Sequence, residues 1–570
     1  MRTNRKKTIW WIALLAGLVA VNILASVFHQ RFDLTEEKRY SLSKPTREML
    51  SKLREPVRIE VFLEGEFPAG FRKLANGVRE FLQECKEYGG ANIQYSFTDP
   101  LAGLDDSAAR YVIDSIGYVY RIPAFTLQAP SKVGDEQTQK LVLPGALIRY
   151  RDTTIGVNLL QGEQSFGTEP EQLAALYNNV EASMEYKFAS AIQKITLDRK
   201  PLVGYALGHG EGWGYNVDDV VRTLIANYDF DTVNIRTTQF VPQFDALVIV
   251  KPTQAFTDED KIKIDQYVMH GGKVFWMIDN MYAEFDSLYK SQGFIAFDRG
   301  LNLEDILFNY GVRINQALLQ DMQNDKLPQV SNNGSGQMRL VDWPFFPVLN
   351  GTDHPISKNL DGVRALFPSV LDTVESGGIK KTVLLQSSPN ARILETPARV
   401  DFEFLQIAPS EELFRRKNVP VGVLLEGNFV SHYTGRIPRG LRDSMAAMNY
   451  PYINRNQSSN KMIVVADGDL AMNQFSNNTG PLQMGQNLYT NYTFANKDFF
   501  LNAMDYLVNP TDILQTRAKE YTLRLLDPRR TSAERTKWQV INIVLPVLLV
   551  ILFGFIYQQV RRQQFGSNKA

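Results

Sequence analysis

Two apolar runs near the ends of this 570-residue chain limit what lies between them. The first, Thr8–Phe28, reads TIWWIALLAGLVAVNILASVF and carries no charge over its whole length, which is enough to cross a bilayer as a helix. A cleaved signal peptide has a shorter apolar stretch and a small-x-small exit, which ASVFHQ does not supply. The second, Val540–Tyr557, reads VINIVLPVLLVILFGFIY, with Trp538 and Tyr557 at interfacial positions. Pro546 is tolerable there because local adjustment or neighbouring helices satisfy the freed carbonyl. Two spans place both termini on one side of the membrane and residues between the spans on the other. Arg2, Arg5, Lys6 and Lys7 before the first span, and Arg561 and Arg562 after the second, favour cytoplasmic termini. Arg31, Lys38, Arg39, Arg529, Arg530, Arg535 and Lys537 on the opposite flanks nearly balance that count. The expectation is a bacterial inner-membrane protein with a large periplasmic body.

Lys+Arg and Asp+Glu both number 62, so net charge makes no case for nucleic acid or for an acidic substrate. The single cysteine, Cys85, excludes an intrachain disulfide, and its spacing from Val78, Phe81 and Leu82 makes it a small core residue.

The expected organisation is a cytoplasmic tail (1–7), a span (8–28), a juxtamembrane segment (29–56), two folded modules (57–197 and 198–510), a stalk (511–537), a second span (538–558) and a tail (559–570). The juxtamembrane segment starts a helix at Ser43, an N-cap followed by Pro45 in the first turn. In the first module, VRIEVFLE (57–64) alternates as a strand, FRKLANGVREFLQECKEY (71–88) is a helix and NIQYSFT (92–98) a strand. ALIRYR (146–151) and TIGVNLL (154–160) flank Asp152-Thr153 as a hairpin, and 169–196 is a long helix. The order β-α-β, β-β, α is that of the thioredoxin fold. Its redox motif would fall where EGEFPAGF (64–71) stands, without a cysteine, so the module is a scaffold.

The second module opens strand, glycine loop, helix at 200–230, continues with TVNI (232–235) and DALVIV (245–250), and then a helix opened by a Thr257/Asp260 capping box. Gly271-Gly272 ends that helix, and KVFWMID (273–279) follows as a strand. Apolar strands alternating with helices predict a parallel sheet covered on both faces. The segment 281–440 holds the strands VLLQSS (383–388) and VGVLLEG (421–427), and KMIVVADGDLAMN (461–473) returns to a buried strand with an acidic loop.

Ligands of open α/β sheets bind outside the carboxyl ends of the strands. His209, Glu211 and Trp213 of LGHGEGWG (207–214), Asp279 and Asp467 fall at such ends, and form the candidate ligand or partner site. Catalytic signatures are missing: no G-x-S-x-G elbow, no phosphate-binding G-x-x-x-x-G-K-[ST], no H-x-x-x-H, and the cysteine lies in the other module. No catalytic residue, metal or cofactor is expected. The plainer reading of GHGEG is a tight glycine turn whose His and Glu bond the loop backbone.

Several stretches together resemble the gliding-motility-associated GldG family, auxiliary subunits of ABC-2-type transporters. They are RFDLTEEKRYSLSKPT (31–46), GYALGHGEG (204–212), FDALVIVKPTQAFTDEDKIKIDQYVMHGGKVFWMID (244–279), VVADGDLAMN (464–473), NKDFFLNAMDYLV (496–508) and the tail YQQVRRQQ (557–564). The resemblance implies a partner permease and a separate ATPase subunit in an inner-membrane ABC complex linked to gliding. It also implies that 198–510 is like a domain of intraflagellar-transport proteins whose fold is similar to class I glutamine amidotransferases. No catalytic residue comes with it. The expected function is a non-catalytic, membrane-anchored accessory subunit whose periplasmic body contacts a substrate or envelope partner. The alternatives are a periplasmic hydrolase or amidase acting at GHGEG, and a mechanical scaffold of the gliding or secretion machinery without a small ligand.

Overall fold

The structure, a computed structural model, describes residues 41–65, 67, 69–130, 137–160, 170–291, 293–330, 338–402, 410–437, 439–509, 513, 516 and 528–565, with 11, 14, 15 and 17–19. Most of the expected first span, residues 29–40 of the juxtamembrane segment and the start of the stalk therefore lie outside the described residues. The chain divides into two units, Met1–Lys519 and Glu520–Ala570.

The first unit begins with α1 (Lys44–Ser51), where the Ser43 side chain accepts the Thr46 N–H and Pro45 stands in the first turn. The strand β1 (Val57–Val61), the helix α2 (Ala69–Gly89) and the strand β2 (Ile93–Phe97) follow. A helix absent from the sequence expectation, α3 (Asp106–Tyr120), is capped by Asp105 and leads into a hairpin of Phe125–Pro130 with Gln137–Val142. Ile116 is its buried residue, with Val112, Ile113 and Tyr120 half-buried at helical spacing beside it, so the sequence does carry its apolar stripe. β3 (Gly145–Tyr150) and β4 (Thr153–Asn158) pair as the expected hairpin, but the turn falls at Arg151-Asp152, with Arg151 in the left-handed region at φ 51°. α4 (Pro170–Thr196) closes the module. The sheet order is β2-β1-β3-β4; β1 and β2 are parallel and the other pairings antiparallel. Cys85 is fully buried in the core of this module, and that burial pushes its thiol well above the usual range.

The larger sheet starts with β5 (Leu202–Leu207), α5 (Asp218–Asn227), β6 (Asp229–Asn234), β7 (Ala246–Val250), α6 (Asp258–Met269) and β8 (Val274–Met277). It takes further strands from β9 (Asn324–Val330), β10 (Met338–Gly351), β11 (Ile379–Gln386), β12 (Pro420–Gly427) and β13 (Asn460–Val465). The order is β9-β10-β11-β12-β13-β8-β7-β5-β6. From β13 to β6 every pairing is parallel; from β9 to β13 every pairing is antiparallel. The all-parallel sheet expected for 198–510 is thus half of a mixed one. The short apolar runs of 281–440 fix strands but not direction, and even the helix Arg439–Ala447 between β12 and β13 does not make that pair parallel.

α6 has the expected capping box and ends at Gly271, φ 94°. Asp260–Met269 are nevertheless all buried, polar residues included. The sheet covers one side, and a segment near 429–455 covers the other. The Asp265 carboxylate accepts from Tyr310 Oη at 2.9 Å, Ser431 Oγ at 2.6 Å and the His432 N–H at 2.9 Å, and Gln266 Nε2 donates to the Ile453 carbonyl at 3.1 Å. Buried polar groups tolerate this only when paired. The helix α7 (Asn496–Val508) ties the two modules: Tyr186 of α4 donates to Asn502 at 3.2 Å, and Lys194 pairs with Asp505 at 3.1 Å.

The described residues of the second unit form one helix, α8 (Pro528–Phe565), which continues through Pro546. Within it Thr536–Gln563 is, among the described residues, the one stretch long and apolar enough to cross a membrane, and none of it is buried. The helix overruns both expected boundaries of the second span, 538 and 558, because the flanking residues contain no helix breaker.

Candidate functional site

The five parallel strands run β6-β5-β7-β8-β13, so the connection from β5 turns one way to β6 and the chain then crosses to β7 on the other side. The loops after β5 and β7 consequently face each other at the point where ligands bind in such sheets. The loop after β5 is GHGEG; the loop after β7 begins with Lys251.

The glycines of the first loop are there for conformation and space. Gly208 and Gly210 lie at φ 116° and 74°, and a Cβ on Gly210 would sit 2.1 Å from Thr253 Oγ1. The two loops are stitched together, since the His209 carbonyl accepts from the Thr253 N–H at 2.8 Å and the Gln254 N–H at 2.9 Å. Glu211 folds back so that its Oε2 accepts the His209 N–H at 2.7 Å. The His209 ring is wholly buried, stacked on Phe256 with centroids 3.7 Å apart, and its Nε2 is 3.1 Å from Asp260 Oδ2. His209 Nδ1 faces Glu211 Oε1 at 3.7 Å, beyond hydrogen-bond range. Trp213 lies outside this pocket, half exposed and against Tyr205 at 5.7 Å.

Asp279 and Asp467 belong to a second group, built by the ends of β7, β8 and β13. Lys251 Nζ lies 2.6 Å from Asp469, 3.0 Å from Glu284 and 3.1 Å from Asp279. Asp279 Oδ1 accepts the Gly468 N–H at 2.5 Å; Asp467 accepts the Leu366 N–H at 2.8 Å and the Asp469 N–H at 2.7 Å. Arg299 donates to Glu284 at 2.6 Å. Lys251 sits in the left-handed region, φ 47°, a conformation that costs a non-glycine residue on the order of 1 kcal/mol. A Cβ on Gly468 would meet Lys251 Cβ at 2.7 Å, so glycine there makes room for the lysine stem. No hydrogen bond or ion pair joins this group to His209 or Glu211 among the described residues.

Burial pulls the Lys251 ammonium downward, but Asp469, Asp279 and Glu284 together outweigh it and hold the charge well above the usual range. Burial raises Asp467 well above the ordinary carboxylate range, with the charges of Asp279 and Asp469 adding to it. Burial also carries Asp469 to about 7, against the pull of Lys251. The cluster therefore holds a proton near neutrality.

Asp279, Asp467 and Asp469 each offer an oxygen within 4.8 Å of the others, a spacing that suits a metal ion. The Lys251 ammonium already contacts two of the three, so the cation of this site is supplied by the chain. Held charged, its amine is also no nucleophile. The sequence pattern placed Asp279 and the acidic loop of Asp467 and Asp469 at strand ends, named Asp279 and Asp467 as site residues, and missed Lys251 and Glu284. Lys251 was open to the same argument, since it directly follows the apolar strand DALVIV.

Residues 200–503, which are 304 of the 570, match a family described as "ABC-type uncharacterized transport system". Residues 36–149 match a domain of unknown function, DUF7088. No curated protein matches. Among solved structures, the chain is similar to an "mmIFT52 N-terminal domain" at 11% identity and TM-score 0.31, covering 54% of this chain and 97% of that one. It is also similar to a putative ThuA-like protein from Parabacteroides merdae ATCC 43184 at 14% identity and TM-score 0.20, covering 40% and 75%. The family match spans the strands, both loops and the buried ion network of the larger sheet, and the chain belongs to this ABC-type transport auxiliary family, with an accessory role in an ABC transport system.

Proposed function

We propose that the chain is a non-catalytic accessory subunit of a membrane ABC complex of the GldG type, associated with gliding, in which a permease and a separate ATPase are its partners. Its folded body lies in the periplasm, and both termini are cytoplasmic. One observation carries the non-catalytic part: the crevice at the strand ends is filled by the chain's own ions, with Lys251 locked between Asp469, Glu284 and Asp279. The helix Thr536–Gln563 supports the anchor. The sheet order β2-β1-β3-β4 supports a thioredoxin-like first module, and the parallel order β6-β5-β7-β8-β13 an amidotransferase-like second one. His209, Glu211, Asp279 and Asp467 then act as a rigid frame for the surface around Trp213, where a substrate or envelope partner is met. The test is mass spectrometry of what co-purifies with the tagged full-length chain from native membranes. A permease and an ATPase in matching amounts are expected; their absence overturns the proposal.

A further inference from the structure

Residues 470–496 carry no charged side chain, where the chain's 22% charged composition would place about six. The stretch holds six asparagines and three glutamines. It is ordered by its own amides. The Gln474 carbonyl accepts the Leu482 N–H at 2.9 Å, and its Oε1 accepts the Leu488 N–H at 2.8 Å. Asn487 Nδ2 donates to the buried Asp325 at 2.6 Å while its Oδ1 accepts the Tyr489 N–H at 2.8 Å. Asn473 joins the stretch to the loop after β5: its Nδ2 donates to the Tyr215 carbonyl at 2.7 Å, and its N–H to the Asn216 carbonyl at 2.8 Å.

The stretch and the loop after β5, joined through Asn473, display aromatic rings to solvent. Tyr215 is 72% exposed, Trp213 56% and Phe475 44%, and the Tyr215 and Phe475 rings lie 5.5 Å apart. Tyr489 is partly exposed on the same stretch. Exposed aromatic patches held by a rigid frame mark binding surfaces.

We propose that this surface binds an uncharged oligosaccharide. The C–H face of a pyranose ring stacks on an aromatic face, and sugar hydroxyls both donate and accept, as do the surrounding side-chain amides. A charged ligand would need counter-charges, which 470–496 lacks; the nearby Lys497 is committed to Asp219 at 2.7 Å. A protein partner would call for arginine and a gathered apolar centre, whereas 470–496 has no arginine and surrounds its rings with amides. The inference deepens the envelope contact proposed above and rests on that reading only for where the sugar is met. Binding is measured on purified protein, so its failure leaves the permease association standing, and the reverse also holds.

The experiment is calorimetric titration of the full-length chain, in a detergent without a sugar headgroup, with cellohexaose, maltohexaose, mannohexaose and chitohexaose. At least one is expected to bind, with an affinity unchanged between about 50 and 500 mM salt because no charges meet. Tyr215→Ala and Phe475→Ala each weaken it by about tenfold without shifting the melting temperature. Tyr215→Phe retains it, and so does Tyr118→Ala, an exposed aromatic on α3. Absence of binding by all four at millimolar concentration overturns the proposal. So does binding that ignores both alanine variants, that collapses with salt, or that is absent while those variants release a co-purifying protein.

Discussion

Lys251→Met removes an ammonium while keeping the length of the side chain. Three carboxylates lose their shared cation at distances of 2.6, 3.0 and 3.1 Å, in a place where the lysine side chain is only 8% exposed. Breaking a buried pair by removing one partner costs about 3–5 kcal/mol, most of it from leaving charge buried without compensation. Three carboxylates argue for the upper end, but the cluster has a partial remedy, because Asp469 already titrates at about 7 and takes up a proton when the lysine is gone. The loss should therefore be greatest at pH 8 and smaller at pH 6. For a unit of this size the upper figure corresponds to a melting temperature lower by about 5 °C. Scanning calorimetry of the full-length variant and parent at the two pH values reads it. A variant that melts within about 2 °C of the parent at pH 8 would refute the claim that these ions hold the strand ends together.

Asp469→Asn tests the proton directly. The folded-state value is raised from an ordinary 3.8 to about 7, so the parent gains stability as pH falls through 7 toward 4 and loses it as pH rises. The variant should lack that slope, and parallel stability–pH curves would count against the assignment. Lys251→Ala leaves Asp279, Asp467 and Asp469 within 4.8 Å of one another with room for an ion, so calcium or manganese should raise the melting temperature of the variant and not of the parent. Gly468→Ala places a Cβ 2.7 Å from Lys251 Cβ and should cost about 1–3 kcal/mol by overpacking, measured by denaturant unfolding. Asp265→Ala strands donors from Tyr310, Ser431 and His432 in the interior and should destabilise by about 3 kcal/mol, with Asp265→Asn costing less.

Local chemistry was readable wherever one short stretch decides the outcome. Ser43 and Thr257 cap their helices through their own side chains, Gly271 ends α6 at positive φ, and the apolar run ALVIV (246–250) is a strand buried at every position. The placement of Asp279 and Asp467 at strand ends followed from the same runs, because a strand must stop where its apolar residues stop. The hairpin turn was read one residue late, since both Arg151-Asp152 and Asp152-Thr153 are polar pairs between alternating runs. α3 was equally legible, since Val112, Ile113, Ile116 and Tyr120 recur at helical spacing, and the expectation left it out.

The sequence by itself determined the capped helices, the glycine turn at GHGEG, the buried apolar strands and an apolar segment near the carboxyl end, each set by residues within a few positions of one another. Only the tertiary structure decided the antiparallel half of the sheet, the complete burial of α6 and the meeting of Lys251 with Glu284 and Asp469, which are 33 and 218 residues away. A lysine after a strand looks like a solvated end until three carboxylates from distant segments surround it. Strand direction, likewise, depends on which partner arrives rather than on the strand's own side chains. Both are pairwise outcomes of chain-distant contacts, and a local pattern carries no record of its partner.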